Sequence, residues 1–513
     1  MARWIYAGAR VCDRSGFSRS DGGCVPAVTA MRLPEVGVGV TWFAGMEPLL
    51  QANAELVDVL EIEPQTLWRW QPHARTVAID TAALEAVQRQ SHAKLVHSVG
   101  LPVGGTVPPQ PDDVELLSRV ALELDTPWLS EHLSFNCVED ESGAWHTGSL
   151  LPPRQTLAGV EAAVASIRAL SARVPVPVAI ETGVNYLQPR GDELPDGEFV
   201  GRVAEAADCG ILLDLHNVWT NHQNGRQPLG EYIDQLPLER VWELHVAGGY
   251  YHRGFCRDAH SGEVPADVLE LAARIVPRLV NLKAIIFELF PSHLPQLGAR
   301  VFRSQMDSLH RVWDRRCGTA VRKTCARSDP PEPNPAPSPK EWERTLACLT
   351  VHKRCDSPLA TELRKDRGMA VIREMVEKLR GSMVVRTLRL SSRLIILERG
   401  TAYLEQLLAT FWRTHPPQAF ALDEAEAFAA FLREEKPYVP FLGEVLEYDR
   451  AVIAVALDGE ERSIAFGADP LPLLRALGAG RRPTEITTGE FEIRLTPDLV
   501  NSQAVLPGME VIH

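Results

Sequence analysis

The chain has 513 residues, 45% of them hydrophobic, and it carries 53 basic against 67 acidic residues for a net charge of −14. This length predicts two globular domains, and the lack of an 18-residue apolar run argues against a membrane span. The acidic balance argues against a protein that embraces nucleic acid, because phosphates are neutralised by Lys and Arg. The nine cysteines are odd in number and lack CxxC spacing, which favours reduced thiols over a disulfide framework.

The N-terminal residues MARWIYAGARVCDRSG lack the charged-then-apolar pattern of a secretion signal. We therefore expect a cytoplasmic protein. Residues 1–33 are expected to be a disordered extension that precedes the first domain.

Short apolar runs that end in polar residues recur through the next 280 residues and alternate with helical segments. Runs of this length and composition are typical of strands buried on both faces of a parallel sheet. The strand-like runs are AKLVHSVG, WLSEHLSF, VPVAIETG, CGILLDLHN, VWELHVAG and AIIFELF, and the helical segments between them include VELLSRVALEL, TLAGVEAAVASIRALSA and VLELAARIVPRLV. The alternation predicts an α/β fold, a (β/α)₈ TIM barrel over residues 34–312, with its active site at the C-terminal face.

Nine residues that can bind metal lie at or just after the ends of these runs: His97, His132, Glu181, Asp214, Asn217, His245, Asp258, His260 and Glu288. A mixture of imidazole and carboxylate without cysteine favours Fe(II), Mn(II) or Zn(II) over Ca²⁺. Nine ligands are too many for one ion, so two or three ions that share the Glu181 carboxylate are the simpler prediction. The alternative is that each histidine is structural and that Asp258 and His260 form a hydrogen-bonded pair in a loop.

The remainder of the chain predicts a second domain. Residues 313–345 are first basic and then proline-rich, which is typical of an extended linker. Residues 346–513 are predicted to be an α+β domain, ambiguous up to residue 400. Two helices follow, marked by Leu404, Leu407, Leu408, Phe411 and Trp412 and then by Phe428, Phe431 and Leu432. In AVIAVALDGEERSIAF, a turn at Asp458-Gly459 between two alternating runs predicts a hairpin, and EFEIRL predicts a further strand.

The order of the nine residues resembles that of the xylose-isomerase-like and endonuclease IV barrels. More closely, the chain resembles the multinuclear non-haem iron-dependent oxidative enzymes, formerly known as DUF692. The phrases that carry this resemblance, over about residues 36–310, are VGVGV, HSVGLPVGG, SEHLSF, IETGVNYL, LLDLHNVWTNHQN, LHVAGGYYHRG and RDAHSGEV. By that resemblance, His97, His132 and Glu181 would hold one iron, Glu181, Asp214, His245 and Glu288 a second, and Asn217, Asp258 and His260 a third.

Two positions depart from the family pattern. The family tends to place a histidine soon after its first glycine-rich strand, where this chain has VTWFAGM with Trp42. It also tends to carry a glutamate after the second strand, where this chain has Gln65, with Glu61 and Glu63 just before it. If the family residues bind an ion or substrate, this chain must do so differently.

The resemblance implies an enzyme that uses two or three iron ions, as a mixture of Fe(II) and Fe(III), with O₂ as co-substrate. Its substrate would be a ribosomally made precursor peptide, oxidised at a cysteine or at an aspartate or asparagine. LLATFWRTHPP and FLREEKPYVPFLGEVLEYDRA resemble the partner proteins that capture such peptides. The partner would then be fused as residues 346–513, and a separate partner protein would be unnecessary; the alternative is an unrelated packing or dimerisation domain.

Three other functions remain open. An endonuclease IV-like phosphodiesterase shares the ligand order, but the net charge of −14 and Asn217 in place of the expected histidine argue against DNA as the substrate. A sugar isomerase or epimerase needs a lysine near the metals, and no lysine falls within the ligand phrases. A metal-binding scaffold without activity is hard to reconcile with so many convergent ligands.

Overall fold

The computed structural model describes residues 33–71, 76–141, 143–317, 337–418, 420–484 and 486–501. The predicted disordered extension, apart from residue 33, and most of the predicted linker lie outside these residues. The chain divides into two compact units. The first comprises Met1–Trp68, Ile79–Thr350 and Arg354–Ile372, and the second comprises Arg69–Ala78, Val351–Lys353 and Arg373–His513.

The first unit contains a closed barrel of eight parallel strands, which confirms the predicted fold class. Around the barrel the strand order is β1-β14-β11-β10-β9-β6-β5-β2. In chain order, the strands of the described residues are β1 Gly37–Thr41, β2 Val59–Ile62, β3 Trp68–Gln71, β4 Thr76–Ile79, β5 Ala93–Ser98, β6 Leu129–His132, β7 Phe135–Asp140, β8 Gly143–Leu151, β9 Val178–Glu181, β10 Gly210–Asp214, β11 Val241–Ala247, β12 Gly249–His252, β13 Phe255–Asp258, β14 Ala284–Glu288, β15 Arg462–Ala468 and β16 Thr488–Leu495.

Helices follow most of the barrel strands and continue beyond them. Those of the described residues are α1 Glu47–Ala52, α2 Thr81–Gln88, α3 Pro111–Glu123, α4 Leu157–Ser171, α5 Asp196–Ala207, α6 Leu215–Gln223, α7 Leu229–Gln235, α8 Ala266–Ile275, α9 Leu294–Leu297, α10 Ala299–Trp313, α11 Pro339–Thr350, α12 Pro358–Leu363, α13 Arg367–Thr387, α14 Arg389–Arg399, α15 Thr401–Thr414, α16 Ala421–Glu435, α17 Leu442–Asp458, α18 Pro470–Gly478 and α19 Pro497–Asn501. Among the described residues, none of these helices combines the length and the hydropathy that a transmembrane segment needs.

The register of the barrel brings the polar strand ends to one rim. His132 at the end of β6 pairs with Glu181 at the end of β9. Asp214 at the end of β10 pairs with His245 on β11, and Glu288 at the end of β14 pairs with Ala247. Because all eight strands are parallel, these ends lie at the C-terminal face of the barrel.

The barrel unit extends past the boundary predicted at residue 346. Helix α11 begins at Pro339, inside the predicted linker, and buries Trp342, Leu346 and Leu349 on one face. The Trp342 indole Nε1 donates to the backbone oxygen of Pro152 at 3.0 Å, and the Glu343 carboxylate accepts from the backbone N–H of Thr106 at 3.0 Å. Buried polar side chains are therefore satisfied by barrel loops, which explains why this helix belongs to the first unit.

The second unit is mostly helical. Its core includes Leu404, Leu408 and Phe411 from α15 and Phe428 and Leu432 from α16, as the helical spacing predicts.

One element of this unit differs from its prediction. The run AVIAVALD is the end of helix α17, not the first strand of a hairpin. Tyr448, Ala451 and Val455 are buried at helical spacing, and the helix ends at Gly459, whose φ of 73° is the left-handed conformation of a helix C-terminus. The strand that follows, β15, pairs antiparallel with β16 instead, and β16 contains the predicted strand EFEIRL.

Candidate metal centre

Six strand ends and one hairpin present the candidate ligands. His97, His132, Glu181, Asp214, His245 and Glu288 lie on β5, β6, β9, β10, β11 and β14, whereas Asp258 ends β13 and His260 follows it. Asn217 lies in the first turn of α6, directly after β10. Six of the nine candidate side chains are therefore positioned directly by strands of the barrel.

One group forms around the carboxylate of Glu181. Its Oε2 lies 2.8 Å from His132 Nε2 and 3.3 Å from His97 Nε2. The ligand atoms of these three residues all lie within 4.8 Å of one another, a spacing at which one ion can contact all three. His97 and Glu181 are almost completely buried, at 1% and 2% exposure.

Two further groups adjoin the first. Glu181, Asp214 and His245 satisfy the same 4.8 Å spacing, and so do Asp214, His260 and Glu288. Glu288 joins two histidines, with Oε2 at 3.2 Å from His245 Nδ1 and Oε1 at 3.3 Å from His260 Nδ1. Glu181 and Asp214 are each shared between two groups, so the arrangement can hold neighbouring ions bridged by carboxylates.

Asn217 and Asp258 each contact individual members of these three-residue groups. Asn217 Nδ2 donates to Glu181 Oε1 at 3.2 Å, and its backbone N–H donates to Asp214 Oδ1 at 2.8 Å. Asp258 Oδ1 lies 2.9 Å from His260 Nε2. The structure thus brings seven of the nine candidates into three-residue groups and places the other two beside them.

Many buried polar atoms of these residues make no well-aligned hydrogen bond. They are His97 Nε2, Glu181 Oε2, Asp214 Oδ2, Asn217 Oδ1, Asp258 Oδ1 and both ring nitrogens of His260. All of them except Asp214 Oδ2 and Asn217 Oδ1 lie within 3.3 Å of another member of the set, at ion-pair distance but in poor hydrogen-bond geometry. An unsatisfied buried polar atom costs about 1–3 kcal/mol, so a cluster of them in a native protein requires an explanation. Nitrogen and carboxylate oxygen donors of this kind fit borderline cations such as Fe(II), Mn(II) or Zn(II).

The electrostatics of the metal-free side chains also favour a cation. Burial raises the pKa of Asp214 well above its ordinary value, and Glu288 and Glu181 add to the effect. Burial alone would lower the pKa of His260, but Asp258 and Glu288 raise it to about 10. Neighbouring carboxylate charge contributes to both shifts, and a bound cation would balance that charge.

Two of the histidines are oriented by groups outside the set. His97 Nδ1 lies 2.9 Å from Ser130 Oγ, and His132 Nδ1 lies 3.3 Å from the backbone oxygen of Ser98. In both rings Nε2 is left facing Glu181. This division, with one nitrogen held by the protein and the other directed to the centre, is the usual arrangement of a metal-binding histidine.

Three acidic residues at the site were not among the predicted ligands. Glu61 and Glu243 form a fourth group with His245 within 4.8 Å, and both are fully buried. Burial raises the pKa of Glu63 to about 7, and the nearby Glu288 adds to this shift. Glu61 lies near the end of β2, and Glu63 directly follows that strand. Glu243 lies two residues before His245 on β11, so both side chains are on the same face of the strand. The strand-end rule that found the other ligands could have found the first two.

The two departures from the family pattern are both buried. Trp42 is 5% exposed and its Nε1 has no hydrogen-bond partner. Gln65 donates from Nε2 to Ser98 Oγ at 2.9 Å and accepts from the backbone N–H of Val99 at 3.3 Å. Gln65 therefore ties the segment after β2 to the end of β5, next to His97.

A family model described as RiPP precursor modification enzyme MbnB/TglH/ChrH matches residues 36–299, more than half of the chain. The chain belongs to this family. The family resemblance carried by the sequence phrases is thereby confirmed for the barrel, and this RiPP precursor modification enzyme has a precursor peptide as its class of substrate. The match ends at the start of α10, so it leaves the partner-like interpretation of residues 346–513 a prediction.

Relatives of known sequence match part of the chain. A UPF0276 protein of Anaeromyxobacter sp. (strain Fw109-5) is 32% identical over 225 residues, which is 44% of this chain and 77% of that protein. A UPF0276 protein of Caulobacter vibrioides is 31% identical over 201 residues, 39% of this chain and 70% of that protein. A third, from Streptomyces avermitilis, is 30% identical over 36% of this chain and only 38% of its own length.

Solved structures with a similar barrel include a xylose isomerase domain protein from Planctomyces limnophilus, at a TM-score of 0.36 and 14% identity, covering 55% of this chain and 98% of that one. Endonuclease IV from Thermus thermophilus matches at a TM-score of 0.33 and 17% identity, covering 53% and 99%. Likenesses at this level do not bear on the function of the RiPP enzyme.

Proposed function

We propose that this enzyme uses two or three iron ions and O₂ to oxidise a cysteine, or an aspartate or asparagine, in a ribosomally made precursor peptide, and that it does so in the cytoplasm. The metal ligands are His97, His132, Glu181, Asp214, Asn217, His245, Asp258, His260 and Glu288. Residues 346–513 hold the peptide, so that a separate partner protein is not needed. The observation that carries the proposal is the convergence of buried imidazole nitrogens and carboxylate oxygens at the barrel rim of a RiPP precursor modification enzyme.

Iron bound at this centre supplies the redox chemistry that oxidation of a peptide side chain by O₂ requires. The chain contributes orientation. Asn217 donates to one oxygen of Glu181 and thereby leaves the other facing His97 and His132. Tyr186 Oη accepts from the backbone N–H of Asp258 at 3.1 Å and so fixes the end of β13 beside the centre.

The exposure of the ligands indicates where the substrate enters. His97, Asp214 and His245 are at most 1% exposed. The side chains of His132 and Asp258 are instead 17% and 22% exposed. The peptide side chain therefore approaches from the side of these two residues, and the barrel interior excludes water from the opposite side.

The first experiment is metal analysis with Mössbauer spectroscopy on the anaerobically purified full-length chain. We expect two or more irons in mixed valence. The same preparation is then incubated with a precursor peptide encoded near the gene, with and without O₂, and the change in peptide mass is measured. Zinc together with cleavage at abasic sites would instead identify a repair nuclease, and one Mn or Mg with ketose formation an isomerase.

The second experiment tests the role of residues 346–513. Amide hydrogen exchange of the full-length chain is compared with and without the precursor peptide. Protection is expected in peptides from residues 373–501 as well as in the rim loops of the barrel. Protection confined to the barrel would contradict peptide capture by the second unit and leave the oxidation proposal intact.

A further inference from the structure

His245 is contacted by carboxylates through both of its ring nitrogens. Nδ1 lies 3.2 Å from Glu288 Oε2, on the side of the proposed metal ligands, and Nε2 lies 2.9 Å from Glu61 Oε2. All three side chains are at most 7% exposed. A neutral imidazole carries hydrogen on one nitrogen only, so the nitrogen that faces a metal must be the bare one.

Glu61 is held in place by the barrel. It lies on β2, and its Oε1 is 3.5 Å from Thr41 Oγ1 on the neighbouring strand β1. Nothing in the described parts of the chain pairs Glu61 with a lysine or arginine, and its ion-pair contact is with His245. The carboxylate is therefore directed at the imidazole and has no competing cation.

Glu243 is a second carboxylate behind the same ring. Its Oε2 accepts from Trp128 Nε1 at 2.9 Å, and the Trp128 ring packs against Trp242 at a centroid distance of 6.5 Å. Its Oε1 has no hydrogen-bond partner and lies 3.8 Å from His245 Nε2. The indole thus fixes Glu243 so that one oxygen remains turned toward the imidazole.

We propose that Glu61 is a positioning residue that accepts the Nε2 hydrogen of His245 and so presents Nδ1 to the metal centre, with Glu243 as the second carboxylate of this support. The inference rests on the proposed function, because it needs a metal at the centre. Carboxylate–histidine–metal arrangements of this kind fix the ring and increase the basicity of the ligand nitrogen.

The same three residues also satisfy the spacing of a metal site of their own. His245 would then have to use both nitrogens as ligands, which requires the loss of both ring hydrogens. An imidazole that binds two ions, one through each nitrogen, is therefore less favourable than an imidazole that binds one ion through Nδ1 and donates a charge-assisted hydrogen bond from Nε2. The metal count of Glu61 variants separates the two arrangements.

The test compares Glu61→Leu, Glu61→Gln and the wild-type chain, all full-length and reconstituted anaerobically with Fe(II). Glu198→Gln is the matched control, because Glu198 is 1% exposed but pairs with Arg202 within α5. Iron affinity is measured by titration, and the ligand environment by Mössbauer spectroscopy. Unfolding of each metal-free variant is measured separately, so that a loss of packing is distinguished from a loss of metal affinity.

We expect Glu61→Leu to weaken binding of one iron by roughly 10–100-fold and to change its Mössbauer signal. Glu61→Gln should lose less affinity, because its amide oxygen still accepts a hydrogen bond but carries no charge. Iron binding and spectra of Glu61→Leu that match those of Glu198→Gln would overturn the inference. Complete loss of one iron in Glu61→Gln, with unchanged signals from the others, would overturn it in favour of a ligand role. A wild-type chain that binds no metal overturns both proposals.

Discussion

The Glu181 carboxylate contacts three other residues of the candidate metal centre. Oε2 lies near His97 Nε2 and His132 Nε2, and Oε1 accepts from Asn217. It also shares the second group with Asp214 and His245. Because Glu181 belongs to two adjacent groups, its substitution should weaken the binding of more than one ion.

We therefore expect Glu181→Gln to lose at least half of the bound metal while remaining folded. The amide is nearly isosteric with the carboxylate but lacks its charge and one acceptor oxygen. Metal content after gel filtration is measured by inductively coupled plasma mass spectrometry, with Glu198→Gln as a buried control of the same chemistry. Equal metal content in the two variants would contradict a bridging role.

Metal binding should release protons from His260. The pKa of this imidazole is raised to about 10 because nearby Asp258 and Glu288 outweigh the effect of burial. Since the raised pKa keeps the ring protonated at pH 7, an incoming ion must displace a proton, and apparent affinity should rise with pH up to about 10. Calorimetric titration of the metal-stripped chain with Zn(II), in buffers of different ionisation enthalpy, counts the protons. His260→Gln should release about one proton fewer than the wild type, and an unchanged count would refute this assignment.

Much of the centre was predictable because barrel ligands follow strand ends. His97, His132 and Glu181 could be found in this way, and the structure brings them together. Glu243 could not, because it lies in the middle of β11 and its second contact is Trp128, more than a hundred residues away in the chain. Contacts of that kind depend on the strand order of the closed barrel.

At the scale of elements, the barrel strands were predictable and part of the second unit was not. The barrel strands are buried on both faces, as in β10 and β14, and the regular alternation of their apolar runs with helical segments identified them as strands. The end of α17 has equally apolar residues, and periodicity over a short run does not distinguish strand from helix. Its helical state follows from Leu442 onward, with Val445, Leu446 and Tyr448 continuing the same buried face.

The first turn of α13 is close-packed against the barrel loop that follows β9. A Cβ atom added at Gly368 would lie 2.0 Å from the backbone oxygen of Tyr186. Tyr186 in turn accepts from the backbone N–H of Asp258. This segment, outside the residues that match the family, therefore supports a loop that holds a proposed ligand.

Gly368→Ala should accordingly destabilise the barrel unit by about 1–3 kcal/mol, because the clash is with backbone and cannot be relieved by a rotamer change. Gly381→Ala is the control in the same helix, since its added Cβ would meet Trp412 at an ordinary 3.6 Å. That variant should be neutral or stabilising by up to about 1 kcal/mol. Chemical denaturation gives the free energies, and hydrogen exchange of residues 182–190 locates the effect. Equal stability of the two variants would show that the loop accommodates the extra methyl group.

The whole molecule combines a unit that carries all the candidate metal groups with a unit that carries none among the described residues. An ion that binds only the folded state stabilises the unit to which it binds, by about 2.7 kcal/mol when its free concentration is 100 times Kd. The second unit has its own apolar core, which includes Phe411, Phe428 and Leu474. Its stability should therefore not depend on metal.

Removal of metal from the full-length chain is expected to lower the Tm of the barrel unit and leave that of the second unit unchanged. Calorimetry before and after treatment with a chelator measures the transitions, and hydrogen exchange at increasing temperature assigns each to residues 36–299 or 373–501. Readdition of Fe(II) under anaerobic conditions should restore the first transition. The Glu181→Gln chain should show a smaller shift because it binds less metal. A fall of both transitions together would mean that the units unfold as one, and no shift in either would mean that the buried carboxylates and imidazoles are satisfied without an ion.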